Sequence, residues 1–560
     1  MIRLLTLAIC TALLPLTTAC AQKKNHRFET AKNLDIFNSI YKNLDMMYVD
    51  TLSADETVGR TAIGAMLQSL DPYTQYFPED KTADLKMMFT GKYAGIGALV
   101  KYHFQKKLVV IDEPYADMPA AQVGLQKGDE ILAIDDSSMV GKTTSYVSER
   151  LRGNANTTLK LTIRRPSTGK KMDLRVTRKN IKMPSLPYYG MLADSVGYID
   201  FNQYTEGSAK ELRRAYIGLR QRGAKALILD LRSNGGGAIN EAIDICNLWI
   251  PKGTLLVETR GKLKQANRKY VTRVEPVDSV MPIVVLVNGE TASASEITCG
   301  SMQDLDRGVV VGTRTYGKGL VQVALDLPYN ANLKMTTSRY YIPSGRCIQA
   351  INYKHSSGGY REHVPDSLTK EFKTAHGRTV RDGGGIKPDL EVKADTMTNL
   401  VAHITGSDWG YERKIDSTMV MFDYVTDYIA RHEQIAPASE FHLTDADFEE
   451  FKQRVLASGF TFDSESQACF DDLVKEAKFE GYYDDARAEF DALQKKLKHN
   501  LADELDRNKA DLLKMLELDI VAHYYYQSGS IEASLQWDTQ LKAAQRLLAT
   551  PGEYERLLRP

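Results

Sequence analysis

Apolar residues recur at helical spacing early in the chain, at Ile36, Ile40 and Leu44 and again at Ile63, Met66, Leu67 and Leu70, up to the Asp71-Pro72 break. Helices are predicted there. Between about residues 94 and 178 the pattern shortens to β-rich runs at 108–111, 130–134 and 159–163, which predict a small β domain with one helix over 143–151. From about 197 to 389, apolar runs such as 226–229 and 283–287 alternate with helical stretches, as in an α/β layer. Beyond residue 395, Leu493, Leu497, Leu501 and Leu505, followed by Leu512, Met515 and Leu516, predict one long amphipathic helical stretch. Only Gly406, Gly410, Gly459, Gly481, Gly529 and Gly552 of the 39 glycines follow residue 400, so the front is turn-rich and the tail helical. The expected fold class is multidomain α+β: a helical N-terminal region (27–85), a small β domain (86–180), an α/β core (181–395) and a helical C-terminal region (396–560).

Composition narrows the class. The 560 residues are 43% apolar and 26% charged, which excludes a disordered or fibrous chain. Lys+Arg and Asp+Glu number 72 each, so net charge gives no pull toward nucleic acid, and no nucleic-acid partner is expected. Six scattered cysteines without a C-x-x-C pair argue against structural zinc and a disulfide framework; no metal or other cofactor is expected. Arg3 precedes an apolar run to Leu16, too short for the ~20 residues of a spanning helix, and Thr18-Ala19-Cys20 follows. That arrangement reads as an export signal over 1–20. Ending on cysteine, it resembles a bacterial lipoprotein signal, which implies lipidation of Cys20, a membrane anchor and a site of work in the cell envelope, facing the periplasm. Thr17 stands where such signals usually carry leucine, which leaves ordinary cleavage as the other reading.

In the β domain, Gly95-Ile96-Gly97 opens a strand, followed by Pro119-Ala120-Ala121, Gly124-Leu125 and Gly128-Asp129-Glu130-Ile131-Leu132. Together these resemble a PDZ domain, whose glycine loop offers backbone N–H groups to a peptide's terminal carboxylate beside a sheet edge. Ile96, Ala98 and Val147 suggest an apolar pocket for the last side chain. An unrelated β-barrel with tight turns is the plainer alternative.

Three motifs lie in the α/β core. A buried strand runs through Asp230 into Ser233-Asn234-Gly235-Gly236-Gly237, where glycines let N–H groups approach a developing oxyanion. A phosphate loop would need a G-K-[ST] ending, which is missing. Strand 283–287 leads to Thr291-Ala292-Ser293-Ala294-Ser295-Glu296, which also satisfies a capping box, so Ser293 by itself reads as a helix cap. Next comes Gly317-Lys318-Gly319-Leu320-Val321-Gln322; on an extended strand Lys318 and Gln322 share a face, so Gln322 can orient the amine. A serine nucleophile needs a base, yet no histidine occurs between His103 and His355. A buried lysine can serve once desolvation populates its neutral amine near pH 7.

These motifs, with Leu70-Asp71-Pro72, Tyr341-Ile342-Pro343-Ser344-Gly345-Arg346 and Gly384-Gly385-Ile386-Lys387-Pro388-Asp389, resemble the carboxyl-terminal processing, or tail-specific, proteases over roughly residues 30–395. The resemblance implies a crotonase/ClpP-like α/β peptidase core and a serine endopeptidase with a Ser-Lys dyad. Ser293 is then the nucleophile and Lys318 the base; Gln322 matches a lysine-orienting glutamine and Asp304 an aspartate counted in some members' sites. Ala294 and a glycine of the 235–237 turn, Gly235 or Gly236 first, would supply the oxyanion hole. Gly95, Ile96, Gly97 and Val147 would bind the substrate's C-terminus. Implied partners are proteins with exposed apolar C-termini, with a second copy of the chain (a homo-oligomer) or an adaptor protein as the further partner readings. Two departures stand out: Gly235 replaces a usual proline, and 347–381 looks inserted. The helical tail matches no motif and is expected to pack or oligomerise. The rival readings are a non-catalytic PDZ scaffold and an acyl-CoA-handling crotonase-type fold.

Overall fold

The computed structural model describes residues 26–350, 364–406, 418–461, 465–497 and 500–560; the leader and Cys20 lie outside them. Two compact units form. The smaller contains the described residues up to Asp80 and the segment Val323–Thr336. Its first helix spans residues 26–47 and leaves Phe37, Ile40 and Leu44 exposed, so the apolar spacing there marks no core of this unit. A π-helical turn, Asp55–Ala62, continues into a helix over Ile63–Gln68. Asp71 Oδ1 then accepts the N–H groups of Tyr73 (2.8 Å) and Thr74 (2.7 Å) and turns the chain into strand Gln75–Phe77.

The larger unit begins with the small β domain: β1 (Ala98–His103), β2 (Leu108–Pro114), β3 (Glu130–Ile134), β4 (Thr158–Arg164) and β5 (Lys171–Thr177) in an antiparallel sheet of that order. Helix α1 (Thr144–Leu151) is capped by Thr143 and closes the core with Val147 and Leu151 against Val109, Ile111 and Leu161. Outside this sheet, Lys92–Gly95 pairs with Lys179–Lys182, tying the domain's entry to its exit.

The α/β core is a six-stranded sheet in the order β6 (Tyr188–Met191), β7 (Val196–Asp200), β8 (Ala226–Asp230), β9 (Ile283–Val287), β10 (Val309–Gly312), β13 (Leu390–Glu391). All pairs are parallel except β6 with β7. Strand side chains alternate between faces, so both faces of a buried parallel sheet must be apolar and covered. One face presents Leu227, Leu229, Ile283, Val285 and Val287 to helices α2 (Ser208–Gln221), α3 (Ile239–Cys246) and α4 (Ala294–Asp304). The other presents Val196, Tyr198, Ile228, Val284, Leu286 and Val311 to the C-terminal helices α7 (Thr539–Ala549) and α8 (Glu553–Leu557), through Leu541, Ala544, Leu547 and Tyr554. In the chain, β11 (Leu320–Asp326) and β12 (Asn332–Tyr341) follow β10, and their residues 323–336 belong to the smaller unit.

The helical C-terminal region has a core of its own around Tyr424, Phe448, Phe451, Leu512 and Leu516. The long amphipathic stretch predicted across 493–516 is corrected to three helices, Arg487–Leu497, Leu501–Arg507 and α6 (Lys509–Ser534). Asparagine is the reason: Asn500 caps the second by accepting the Ala502 N–H, and Asn508 separates it from the third. This region also grips the β domain. Phe422, on α5 (Val420–Arg431), and Met419 pack on Leu108 and Val110, while buried Lys127 bridges Asp112 (2.7 Å) and Asp519 (2.9 Å). Among the described residues, no helix is long and apolar enough to cross a membrane.

Candidate active site

The glycine turn is built by its polar residues. At the end of β8, Asp230 accepts the Tyr198 hydroxyl (2.8 Å) and the backbone N–H of Arg232 (2.9 Å). Two residues on, Asn234 is fully buried and uses both ends of its amide: Nδ2 donates to the Phe201 carbonyl (2.6 Å), and Oδ1 accepts the Gly236 N–H (2.9 Å). Its own carbonyl accepts the Ala292 N–H (3.0 Å) and the Ser295 hydroxyl (2.9 Å), which fastens the turn to the Ser293 segment. Gly236 has φ +93°, and a Cβ there would lie 2.6 Å from the Ala292 carbonyl oxygen, 2.7 Å from the Ala294 nitrogen and 2.9 Å from Ser293 Cβ. Only glycine allows that approach. Gly235, in contrast, is exposed, and a Cβ on it would meet nothing within 4 Å.

Ser293 is half-buried between β9 and α4 with φ 57° and ψ −114°. That conformation is sparsely populated for a residue with a side chain, costs on the order of 1–3 kcal/mol, and persists because neighbours hold it. Its N–H donates to Glu296 Oε2 (2.9 Å) and its carbonyl accepts the Tyr340 hydroxyl (3.2 Å). Ala294 opens α4, so its N–H has no intrahelical acceptor and lies at the positive end of the helix.

Glu296 holds the two halves of the site together. Completely buried, it accepts the Ser293 and Lys318 N–H groups on Oε2 (both 2.9 Å) and the Thr315 hydroxyl and Gly317 N–H on Oε1 (both 2.6 Å). Burial pushes its pKa up, and the four donors pull the other way. Three of these partners are backbone N–H groups, which cannot accept a proton, so the arrangement favours the carboxylate. The capping-box pattern exposed only one of the four bonds in sequence.

Lys318 is half-buried in a loop two residues before β11, whose first residue is Leu320, and Gln322 lies in that strand. The flanking glycines have a steric cause. A Cβ on Gly317 (φ +85°) would lie 2.3 Å from Ala350 Cβ, and one on Gly319 would lie 2.9 Å from the Gln349 nitrogen. The Gly319 N–H donates to Gln349 Oε1 (2.7 Å) and the Ala350 N–H to the Gly317 carbonyl (2.9 Å).

Asp304 is not brought to Ser293. It ends α4, about 15 Å along the axis at 1.5 Å per residue, and is buried against Arg346 (2.7 Å) and the Ser344 N–H (3.0 Å). There it holds the Ser344–Arg346 turn. Val147 is likewise corrected: it is fully buried in the β-domain core, whereas Thr144, Ser148 and Leu151 of the same helix face a cleft. This cleft, of about 510 Å³, is lined by Ile96, Gly97, Tyr115 and Arg152 at the β domain and by Tyr204, Gly236 and Gly237 at the core. Gly97 (φ +73°) abuts Met118, and its carbonyl accepts the Tyr115 N–H (2.9 Å). Gly95 ends the preceding strand. Among the described residues, no group of three or more His, Cys, Asp or Glu side chains is placed to hold a metal ion.

A strained serine at a strand-to-helix junction, beside a glycine turn and across a cleft from a small β domain, fits a serine-type peptidase. Residues 195–355 match the model of peptidase family S41, 110–165 that of a PDZ domain, and 411–548 one described as the C-terminal helical domain of a probable PDZ-protease. The carboxy-terminal-processing protease of Bartonella bacilliformis is 34% identical over 331 residues, 58% of this chain and 75% of that protein. The carboxyl-terminal-processing protease of Synechocystis sp. is 35% identical over 297 residues, 52% and 68% of the two chains. A solved photosystem II D1 C-terminal processing protease aligns at 25% identity over 64% of this chain and 92% of its own, with a TM-score of 0.34. This chain belongs to the carboxyl-terminal-processing protease family, S41 peptidases that carry a PDZ domain.

Proposed function

We propose that the protein is an exported endopeptidase that captures apolar protein C-termini in its PDZ domain and cleaves peptide bonds with Ser293 and Lys318. The observation that carries this reading is the single cleft shared by the PDZ glycine loop at Ile96–Gly97 and the Gly236–Gly237 turn that abuts Ser293. A chain held by its end at the first is delivered at high effective concentration to the second.

In the reaction, the neutral amine of Lys318 takes the Ser293 hydroxyl proton as Oγ attacks the substrate carbonyl carbon. The C=O electron pair moves to oxygen, and the Ala294 N–H with one amide of the glycine turn holds the oxyanion. Within the turn, the Gly236 N–H already serves Asn234, which favours Gly235 or Gly237 as donor over the Gly236 of the sequence reading. Collapse breaks the C–N bond, and the lysine ammonium returns its proton to the leaving amine. Water, deprotonated by Lys318, then attacks the acyl-serine carbonyl; the C–Oγ bond breaks, the lysine ammonium returns the proton to Ser293 Oγ, and the new C-terminus leaves as a carboxylate. Gln322 orients the amine.

Export, lipidation at Cys20 and residence on the periplasmic side of a membrane belong to the same proposal and rest on the 1–20 pattern. Self-association is proposed through the helix over 26–47, whose Phe28, Leu34, Phe37 and Ile40 are exposed. The test of the catalytic reading is cleavage of an unfolded reporter with an apolar C-terminus by the protein and its Ser293→Ala and Lys318→Ala variants. Both folded variants should be inactive. Cleavage by either would refute the dyad, and activity of the parent absent alongside tight C-terminal peptide binding would favour a PDZ scaffold.

A further inference from the structure

The C-terminal helices reach the glycine turn through one carboxylate. Arg232, which lies between Asp230 and Asn234 in the turn, has its guanidinium held on two sides. Its Nε donates to Asp230 Oδ1 (2.9 Å) and Oδ2 (3.0 Å); its terminal nitrogens donate to Asp538 Oδ1 (3.0 Å), Asp538 Oδ2 (2.5 Å) and Gln540 Oε1 (3.1 Å). Asp538 lies 306 residues away in sequence. Its Oδ1 also accepts the Leu541 N–H (2.8 Å), so it is the N-cap of α7, the helix whose Leu541, Ala544 and Leu547 cover one face of the sheet.

Asp538 thus anchors to a rigid body, because α7 is packed against the strands and cannot shift without uncovering them. Asp230 closes β8, where it is buried and accepts the Tyr198 hydroxyl, and so fixes one side of the guanidinium to the sheet. Charge-assisted, two-point contact with Asp538 fixes the other side, so Arg232 cannot pivot about Asp230. Through Arg232 the restraint passes to Asn234, whose amide and carbonyl set the spacing between Gly236 and the Ala292–Ser295 segment.

We propose that Asp538 is a positioning residue for peptide-bond cleavage: acting through Arg232, it locks the glycine turn against Ser293, which makes the helical C-terminal region part of the scaffold of the active site. This rests on the reading of Ser293 as nucleophile and of the turn as oxyanion donor. It gives the tail a role in the chemistry beyond packing.

The test compares the full chain with its Asp538→Asn, Asp538→Glu and Ser293→Ala variants, measuring kcat and KM on the reporter protein, the rate of Ser293 labelling by a fluorophosphonate, and the thermal midpoint. Asparagine keeps the cap but turns an NH2 group toward Arg232. Asp538→Asn should lower kcat and the labelling rate about tenfold, the factor set by roughly one charge-assisted hydrogen bond, with KM and the thermal midpoint nearly unchanged. Asp538→Glu should recover most of the rate. An unchanged kcat in Asp538→Asn, or a loss that follows the thermal midpoint equally in both variants, would overturn the inference. If Ser293→Ala still cleaves, the nucleophile reading fails and this inference with it; an inactive Ser293→Ala beside a fully active Asp538→Asn sinks this inference alone.

Discussion

Glu296 accepts the backbone N–H groups of both Ser293 and Lys318 on one carboxylate oxygen, each at 2.9 Å. The strained serine and the lysine loop are therefore referenced to a single buried atom, and their separation does not depend on either side chain's rotamer. Replacement of Glu296 by Gln puts an NH2 group against donors on one side or the other, because the amide has one accepting oxygen where the carboxylate has two. Loss of such bonds in a closed site costs about 1–3 kcal/mol each. Glu296→Gln should reduce kcat by about a hundredfold or more, in the range seen when a preorganised donor is lost, while circular dichroism shows an intact fold. A variant with near-parental kcat would refute the role.

The glycine turn distinguishes its members. At Gly236 an added methyl would collide with the Ala292 carbonyl and the Ala294 nitrogen, and φ +93° is unfavourable to any L side chain; at Gly235 a methyl meets open space. Gly236→Ala should therefore abolish cleavage, and Gly235→Ala should keep it within about threefold, the scatter of a neutral surface change. Steady-state assays of the two proteins decide it. Equal losses in both would mean that the turn's mobility, not its close approach to Ser293, governs activity.

Much of this architecture was legible in the residues, and the failures share a cause. Short continuous apolar runs expose strands buried on both faces, so 226–229 and 283–287 lie in strands as expected. The glycines flanking Lys318 were visible, but their reason, contact with Gln349 and Ala350, spans some thirty residues of chain and leaves no periodic trace. Glu296 read as a capping partner, since only its bond to Ser293 is local. Asp304 was assigned to the site by resemblance, whereas eleven residues of helix carry it to the far end of α4. Val147 has the apolar character of a pocket residue and of a core residue alike, and only its direction on α1 separates them. Arg232 and Asn234 precede the glycines in the same motif, and their partners Asp538 and Phe201 lie too far along the chain to leave a local pattern.

The cover that α7 and α8 supply to the sheet makes the last helices indispensable. Tyr554 adds hydrogen bonds from its hydroxyl to the Ile283 carbonyl (3.1 Å) and from the Ile283 N–H to that hydroxyl (2.9 Å). Burial of a large apolar side chain stabilises by about 1.5–3 kcal/mol, so losing Leu541, Leu547 and Tyr554 together removes an amount comparable to the whole margin of a typical domain. Truncation after Leu535 should give an insoluble or dye-binding protein with no cleavage, checked by soluble yield and binding of a hydrophobic fluorophore. A soluble, active truncated chain would show that the sheet tolerates an open face.

Asp200 lies at the end of β7 in parallel register with Asp230 at the end of β8. Burial, with the Asp230 carboxylate beside it and Arg232 opposing, raises its pKa to about 7 from the ordinary 3.8. The native state therefore holds this proton more tightly than the unfolded chain. Its contribution to stability is fully present below about pH 4, declines as pH rises toward 7 and is lost above that. Asp200→Asn cannot ionise, so it escapes the decline. At about pH 8 the variant should be more stable than the parent by roughly 1–3 kcal/mol, a discounted share of the full linkage value, and at about pH 4 the two should be nearly equal. Urea unfolding at the two pH values measures the difference. A gain of the same size at both would mean that the asparagine improves packing or hydrogen bonding and that the Asp200 carboxyl is not under electrostatic stress.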